Sequence, residues 1–268
     1  MASAASRTPA RRPSSGFAGA RSASPGGQPP GTPRDAPTPG LYDSQYEHDA
    51  CGVGFVADLS GRKSHHTVAQ ALTVLRNLDH RGAKGSDPDT GDGAGILTQM
   101  PDALFRASCG FDLPAAGSYA AGLVFLPTDA AECSRAQAAI AELALQEGLD
   151  VLGWRDVPHD AAHCGKGARA TMPRLAQLFV AAVKGDGEAG GDAGIALDRR
   201  AFCLRKRLEH ETGLYPASLS SATIVYKGML TAVQLLPFYP DLSDPAYTSA
   251  RTAPASSAPG GRKASPAA

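Results

Sequence analysis

The apolar segments of this chain are short, and they recur without the even strand–helix–strand beat of a parallel sheet. CGVGFVA (51–57), ILTQM (96–100), YAAGLVFL (119–126), VLGWRDV (151–157), LAQLFVAAV (175–183) and ATIVYKGML (222–230) read as strands. Helical patterns of unequal length separate them. Val68, Ala71, Leu72, Leu75 and Leu78 recur at helical spacing, with Gly82 as the stop. Pro101 suits the first turn of a short helix running through Phe105. Asp129 to Glu147 predicts an alanine-rich helix capped by Gly148, and Ile195 to Glu211 predicts another. Segments 84–95 and 185–194 are glycine-rich loops, the second a flexible surface loop. An α+β fold follows, with mixed layers and sheets more antiparallel than parallel.

Composition limits where that fold can lie. Of the first 40 residues, 33 are Ala, Pro, Ser, Gly or Arg, too little apolar surface to offset the entropy of ordering them. From Ser249 onward 16 of the last 20 residues are Ala, Ser, Pro or Gly, so a low-complexity tail is expected over 249–268. Residues 41 to 248 remain to build one domain. Lys and Arg number 26, as do Asp and Glu, with no basic stripe for nucleic acid and no polybasic helix for a membrane surface. No apolar run reaches the roughly 18 residues of a membrane span. The amino terminus lacks the apolar core of a secretory signal. Its five Arg and six Ser against one acid imitate a plastid transit peptide, but an Ala/Pro/Arg-rich tail of GC-rich coding explains them better, so a cytoplasmic protein is expected. Five cysteines, odd in number and without a C-x-x-C pair, suit reduced thiols rather than disulfides or a zinc site.

Several motifs invite chemistry and decline it. Gly91-Asp-Gly-Ala-Gly95 lacks the third glycine of a dinucleotide fingerprint, and suits a tight turn that brings backbone close to another element. Asp87, Asp89 and Asp92 lack the twelfth-position Glu of a calcium loop. His65 and His66, adjacent at a helix start, do not share a face and read as a solvated pair.

Cys51 is different. It stands at the edge of an apolar run, ahead of Gly52 and Gly54, where little side-chain bulk screens it. An ordinary thiol, with a pKa of about 8.5, is only a few per cent thiolate at neutral pH. A cut between Ala50 and Cys51 would give it a free α-amine of pKa roughly 7.7–8.0, able to act as a built-in general base. A buried, inert cysteine satisfies the same residues, since free cysteine is among the most buried types.

LYDSQYEHDACGVGFVA, LRNLDHRGAKGSDPDTGDGAGILTQMP, LGWRDVP, SSATIVYKGML and FYPDLSDP, in that order, resemble the N-terminal class II glutamine amidotransferase domain of the glutamate synthase large chains. The likeness runs from about Leu41 to Thr248. It implies an N-terminal-nucleophile hydrolase fold: a four-layer αββα sandwich with mainly antiparallel sheets, here incomplete at the C-terminus. It implies that residues 1–50 are a propeptide, that Cys51 is the nucleophile, and that L-glutamine is the substrate. Arg81, in the His-Arg-Gly turn, matches a family position near the nucleophile and is a candidate substrate-site residue; a helix C-terminal cation is the plainer alternative. The Gly91–Gly95 block is assigned structure rather than catalysis. No cofactor is expected in this segment. FMN, an iron-sulfur cluster and NADPH or ferredoxin belong to the full-length enzyme. So do its partners, the remainder of the synthase chain and a small reductase subunit, and its use of ammonia on 2-oxoglutarate.

The departures from that pattern matter as much. The resemblance implies an Asn-Gly pair donating to the oxyanion, with an arginine just before it holding the glutamine α-carboxylate. This sequence has one asparagine, Asn77, followed by Leu78. A frameshift or truncation after residue 248 is expected to account for the switch to low complexity. A catalytically inactive fragment or binding module is then the alternative to a working glutaminase.

Overall fold

The computed structural model describes residues 52–82, 89–183 and 194–256, all within one compact unit. The expected propeptide region 1–50, Cys51, Asp87, the 185–193 loop and residues 257–268 lie outside these residues. Two antiparallel sheets carry the architecture. Strands β1 (Gly52–Val53) and β2 (Val56–Ala57) precede helix α1 (His65–Asn77). Strand β3 (Ala94–Gln99), helix α2 (Asp102–Ser108), strand β4 (Ala120–Leu126) and helix α3 (Ala130–Gln146) follow. Then come β5 (Leu149–Asp156), α4 (Lys166–Ala170), β6 (Arg174–Ala182) and α5 (Ile195–Arg207). The described chain ends with β7 (Tyr215–Pro216), β8 (Thr223–Gly228), α6 (Leu235–Phe238) and β9 (Arg251–Ser256).

Local chemistry accounts for the element ends. Ser64 caps α1 by accepting from the Thr67 amide, and Asp129 caps α3 by accepting from the Glu132 amide. Gly148, at φ +70°, takes the left-handed turn that releases the chain from α3 into β5. Pro101 stands one residue before α2, at its N-cap rather than in its first turn. The helix from Ile195 changes to a π-turn over Leu208–Thr212, ended by Gly213 at φ +70°. His65 is not simply solvated: its Nδ1 lies 3.1 Å from the Tyr247 carbonyl oxygen, while His66 is exposed.

The four-stranded sheet runs β5-β6-β4-β7. One face packs on α3 and α5, through Ile140, Leu143, Leu197 and Leu204 against Val124, Leu178 and Val180. Its other face presents Leu123, Leu175 and Phe179 to a larger core shared with Ile96, Ile224 and Tyr226 of the second sheet and with α1. That second sheet runs β1-β9-β3-β8, with β2 also pairing to β9.

Strand β9 corrects the expectation of a low-complexity tail from Ser249. Ser249 and Ala250 are buried, and β9 lies between β1/β2 on one side and β3 on the other. Composition hid it because its side chains are small and it contains a proline. Pro254 is tolerated because its carbonyl accepts from Gly54 N at 2.9 Å, so its missing N–H faces the break between β1 and β2.

The register sorts this sheet into two faces. Ile96, Pro254 and Tyr226 lie opposite one another and are buried, as are Thr98 and Thr252. The alternate residues face outward, with Val53 72% exposed and Leu97 39%, and Phe55 in the break is 68% exposed. One face of the five-stranded sheet therefore carries exposed apolar side chains beside polar ones such as Arg251.

Candidate active site

The first described residue after Cys51 is Gly52, whose register partner on β9 is Ser256. On the far side of β9, Ser256 pairs with Ala94, inside the Gly91–Gly95 block. Gly82 reaches the same point from a third direction, since a methyl on it would stand 2.7 Å from Ser256 Oγ. Gly82 follows the 3-10 turn Asp79–Arg81 that ends α1. Arg81 is described for its backbone alone. Gly52, Gly82 and Ala94 thus meet at one buried serine. Ser256, where these segments converge, carries no signal in the sequence that singles it out.

Glycine gives the room where these segments touch. A methyl on Gly54 would come within 2.5 Å of Val74 Cγ1, so α1 lies close against the strand that follows the candidate thiol. A methyl on Gly91 would meet the Leu230 backbone at 2.3 Å. The loop is therefore a close-packed turn, as its assignment to structure expects. Asp89 adds a strap, its carbonyl accepting from Gln234 Nε2 at 2.8 Å.

Beneath the five-stranded sheet lies a closed polar ring. Arg155 on β5 makes a two-bonded ion pair with Asp241, each bond 2.8 Å, and both side chains are almost wholly buried. Arg155 also donates to Gln177 Oε1 on β6 at 2.8 Å. Gln177 Nε2 donates to the Tyr226 hydroxyl at 2.7 Å, and that hydroxyl donates to Asp241 at 2.7 Å. Burial, with Tyr247 and Asp241 nearby, holds the Tyr226 hydroxyl well above its ordinary pKa, so it stays a donor. Burial works against the charge on Arg155, but Asp241 outweighs it and raises its pKa.

A separate cleft of about 290 Å³ lies between Lys63, Gln99, Asp102, Gly117 and Ser221. Burial works to raise the Asp102 carboxyl, but hydrogen bonds from Arg106 and Tyr119 outweigh it and hold the group below the usual carboxylate range. A carboxyl lowered in the folded state stabilises the fold above its unfolded pKa and loses that contribution as pH falls through the folded one. Asp102→Asn is therefore expected to lower stability at neutral pH, with the gap to the parent closing below pH ~4. Urea midpoints measured across pH check this; a gap unchanged on acidification would contradict it.

Among the described residues no group of three or more His, Cys, Asp or Glu could hold a metal ion. No described helix is long and apolar enough to cross a membrane.

A family model described as "Glutamine amidotransferases class-II" matches residues 51–253. The chain belongs to this family. It is 44% identical over 217 residues to the Glutamate synthase [NADPH] large chain of Bacillus subtilis (strain 168), covering 79% of this chain and 14% of that one. It is 40% identical over 217 residues to the Glutamate synthase [NADH] of Schizosaccharomyces pombe (strain 972 / ATCC 24843), covering 78% and 10%. It is 38% identical over 230 residues to the chloroplastic Ferredoxin-dependent glutamate synthase of Spinacia oleracea, covering 81% and 14%. The chain thus spans 10–14% of the length of these relatives. The family match opens on Cys51 itself.

Proposed function

We propose that this chain is a glutaminase domain of a glutamate synthase, with an N-terminal-nucleophile arrangement and Cys51 as the nucleophile. The family match beginning at Cys51 is the observation that carries the reading. Removal of residues 1–50 would leave the Cys51 amine free to take the thiol proton. The thiolate sulfur attacks the side-chain amide carbon of glutamine. The tetrahedral oxyanion collapses to a γ-glutamyl thioester, and the protonated nitrogen leaves as ammonia. Water then cleaves the thioester, giving glutamate and the free thiol. Meeting of the Gly52, Gly82 and Gly91–Gly95 segments at Ser256 supports placing Arg81 beside this chemistry, as a residue that orders the site. In a longer synthase the ammonia would serve 2-oxoglutarate amination. The flavin, iron-sulfur cluster and electron donor belong to the remainder of such a protein, and no step here is routed through them. A reducing compartment, the cytoplasm, suits the free thiol.

One observation favours a second reading for the 268-residue chain by itself. The oxyanion-binding Asn-Gly pair that the family resemblance implies is absent, because the sole asparagine, Asn77, is exposed at the end of α1 and precedes Leu78. Loss of one oxyanion donor costs about 10²- to 10³-fold in rate. The expected result is removal of residues 1–50 by intact mass, single labelling of Cys51 by an electrophilic glutamine analogue, and negligible glutamate release. Glutamate release that vanishes in Cys51→Ala would overturn the inactive reading. A soluble, glutamine-hydrolysing preparation still carrying Ala50 would overturn the proposed nucleophile.

A further inference from the structure

We infer that the ring of Arg155, Gln177, Tyr226 and Asp241 is an alignment pin, which fixes the seat of the five-stranded sheet on the four-stranded one and so positions the strand that follows Cys51. The four side chains come from four separate segments: β5, β6, β8 and the 3-10 turn Pro240–Ser243. Every polar atom that the ring uses has a partner, and the pattern admits one orientation of the Gln177 amide. Its oxygen must face Arg155 and its nitrogen must face Tyr226, whose own proton points to Asp241.

Buried ion pairs of this kind add little net stability over apolar side chains of similar volume, because desolvation consumes the attraction. What they add is direction. The surrounding contacts of Ile96, Ile224, Leu123 and Leu175 are apolar, and apolar burial tolerates sliding. Hydrogen bonds of 2.7–2.8 Å across both sheets do not. Tyr226 carries the constraint outward, since it lies opposite Ile96 on β3, which lies opposite Pro254 on β9, and β9 pairs with β1. Tyr239 and Tyr247 pack edge-on against the same ring at 5.1 and 5.7 Å, and the Tyr247 hydroxyl lies 2.8 Å from Thr98 Oγ1 on β3. The segment that supplies Asp241 therefore grips β3 and β8 together.

The consequence for Cys51 rests on the function proposed above; the consequence for the sheets does not. The test compares the full chain with the apolar double exchange Arg155→Met/Asp241→Leu. Thermal unfolding, amide hydrogen exchange of β3 and β8, and the labelling rate of Cys51 by an electrophilic glutamine analogue are measured on both. A lower midpoint is expected, because Gln177 Oε1 and the Tyr226 proton lose their partners, with exchange in β3 and β8 accelerated roughly tenfold more than in β4 and β6. Labelling of Cys51 slows by a similar factor. Parent-like exchange in a folded double variant would overturn the inference. Should that variant fail to fold, Tyr226→Phe decides: the loss of one hydroxyl is expected to speed exchange several-fold in a folded protein, and unchanged exchange rejects the pin. A parent that is never labelled at Cys51 counts against the proposed function, while exchange still judges the pin.

Discussion

A chain stopped after Ala250 is expected to lose the five-stranded sheet as a unit rather than a frayed end. Strands β1 and β2 have β9 as their pairing partner, and β9 is in register with β3 over five residues, Ala94 to Thr98. Without β9, β1 and β2 have no ladder, and the buried side of α1 loses the surface beneath it. Thr252 and Ser256 are 1% and 3% exposed, so this strand is interior despite its composition. Loss of a central strand belongs with the largest destabilisations, more than about 4–5 kcal/mol, a large share of the roughly 5–15 kcal/mol that holds a domain together. Urea unfolding checks it: the shortened chain should show a smaller denaturant slope, as less surface remains to be exposed. A parent-like slope and midpoint would show that β9 contributes nothing.

The second large effect comes from one methyl group. Gly122→Ala would place its Cβ 1.7 Å from the Ser218 carbonyl oxygen and 2.5 Å from the Ser218 carbonyl carbon. Both are backbone atoms that cannot step aside. Ala217 N donates to Leu123 O at 2.7 Å, and Ala121 and Ser220 exchange bonds at 3.0 and 3.2 Å, which clamp the two segments on either side. Relief requires breaking that pairing, so a loss of about 3 kcal/mol or more is expected. Gly110→Ala is the control, as a methyl there meets nothing within 4 Å, and its effect should stay within about 0.5 kcal/mol. Thermal midpoints of the two variants decide it, and equal midpoints would refute the clash.

What could be read from the sequence follows from which forces act locally. Helix α3 was legible because its cap, its apolar spacing and its closing glycine all lie within one short segment. Strands β4, β5, β6 and β8 were legible as apolar runs, and the absence of an even alternation foretold antiparallel pairing. Strand β9 was not, since RTAPAS owes its state to neighbours on both sides rather than to its own propensity. The π-turn after Arg207 looks like plain helix in the sequence because the same residues satisfy both windings. Within the candidate site the Gly91–Gly95 block can be singled out as a place of close approach, but not the backbone it approaches, and Gly82 reads only as a helix stop. Arg155 and Asp241 stand 86 residues apart, and no local pattern marks two such residues as partners.

The brevity of β1 bears on how the site would be worked. Two residues, held by the pairs Gly52–Ser256 and Val53–Ala255, join β1 to the sheet, and the Pro254 gap separates them from β2. Such a leash can peel from the edge while β3, β8 and the polar ring stay intact, because local openings follow the few bonds they break. An opening confined to β1 therefore leaves undisturbed the scaffold that aligns the remainder.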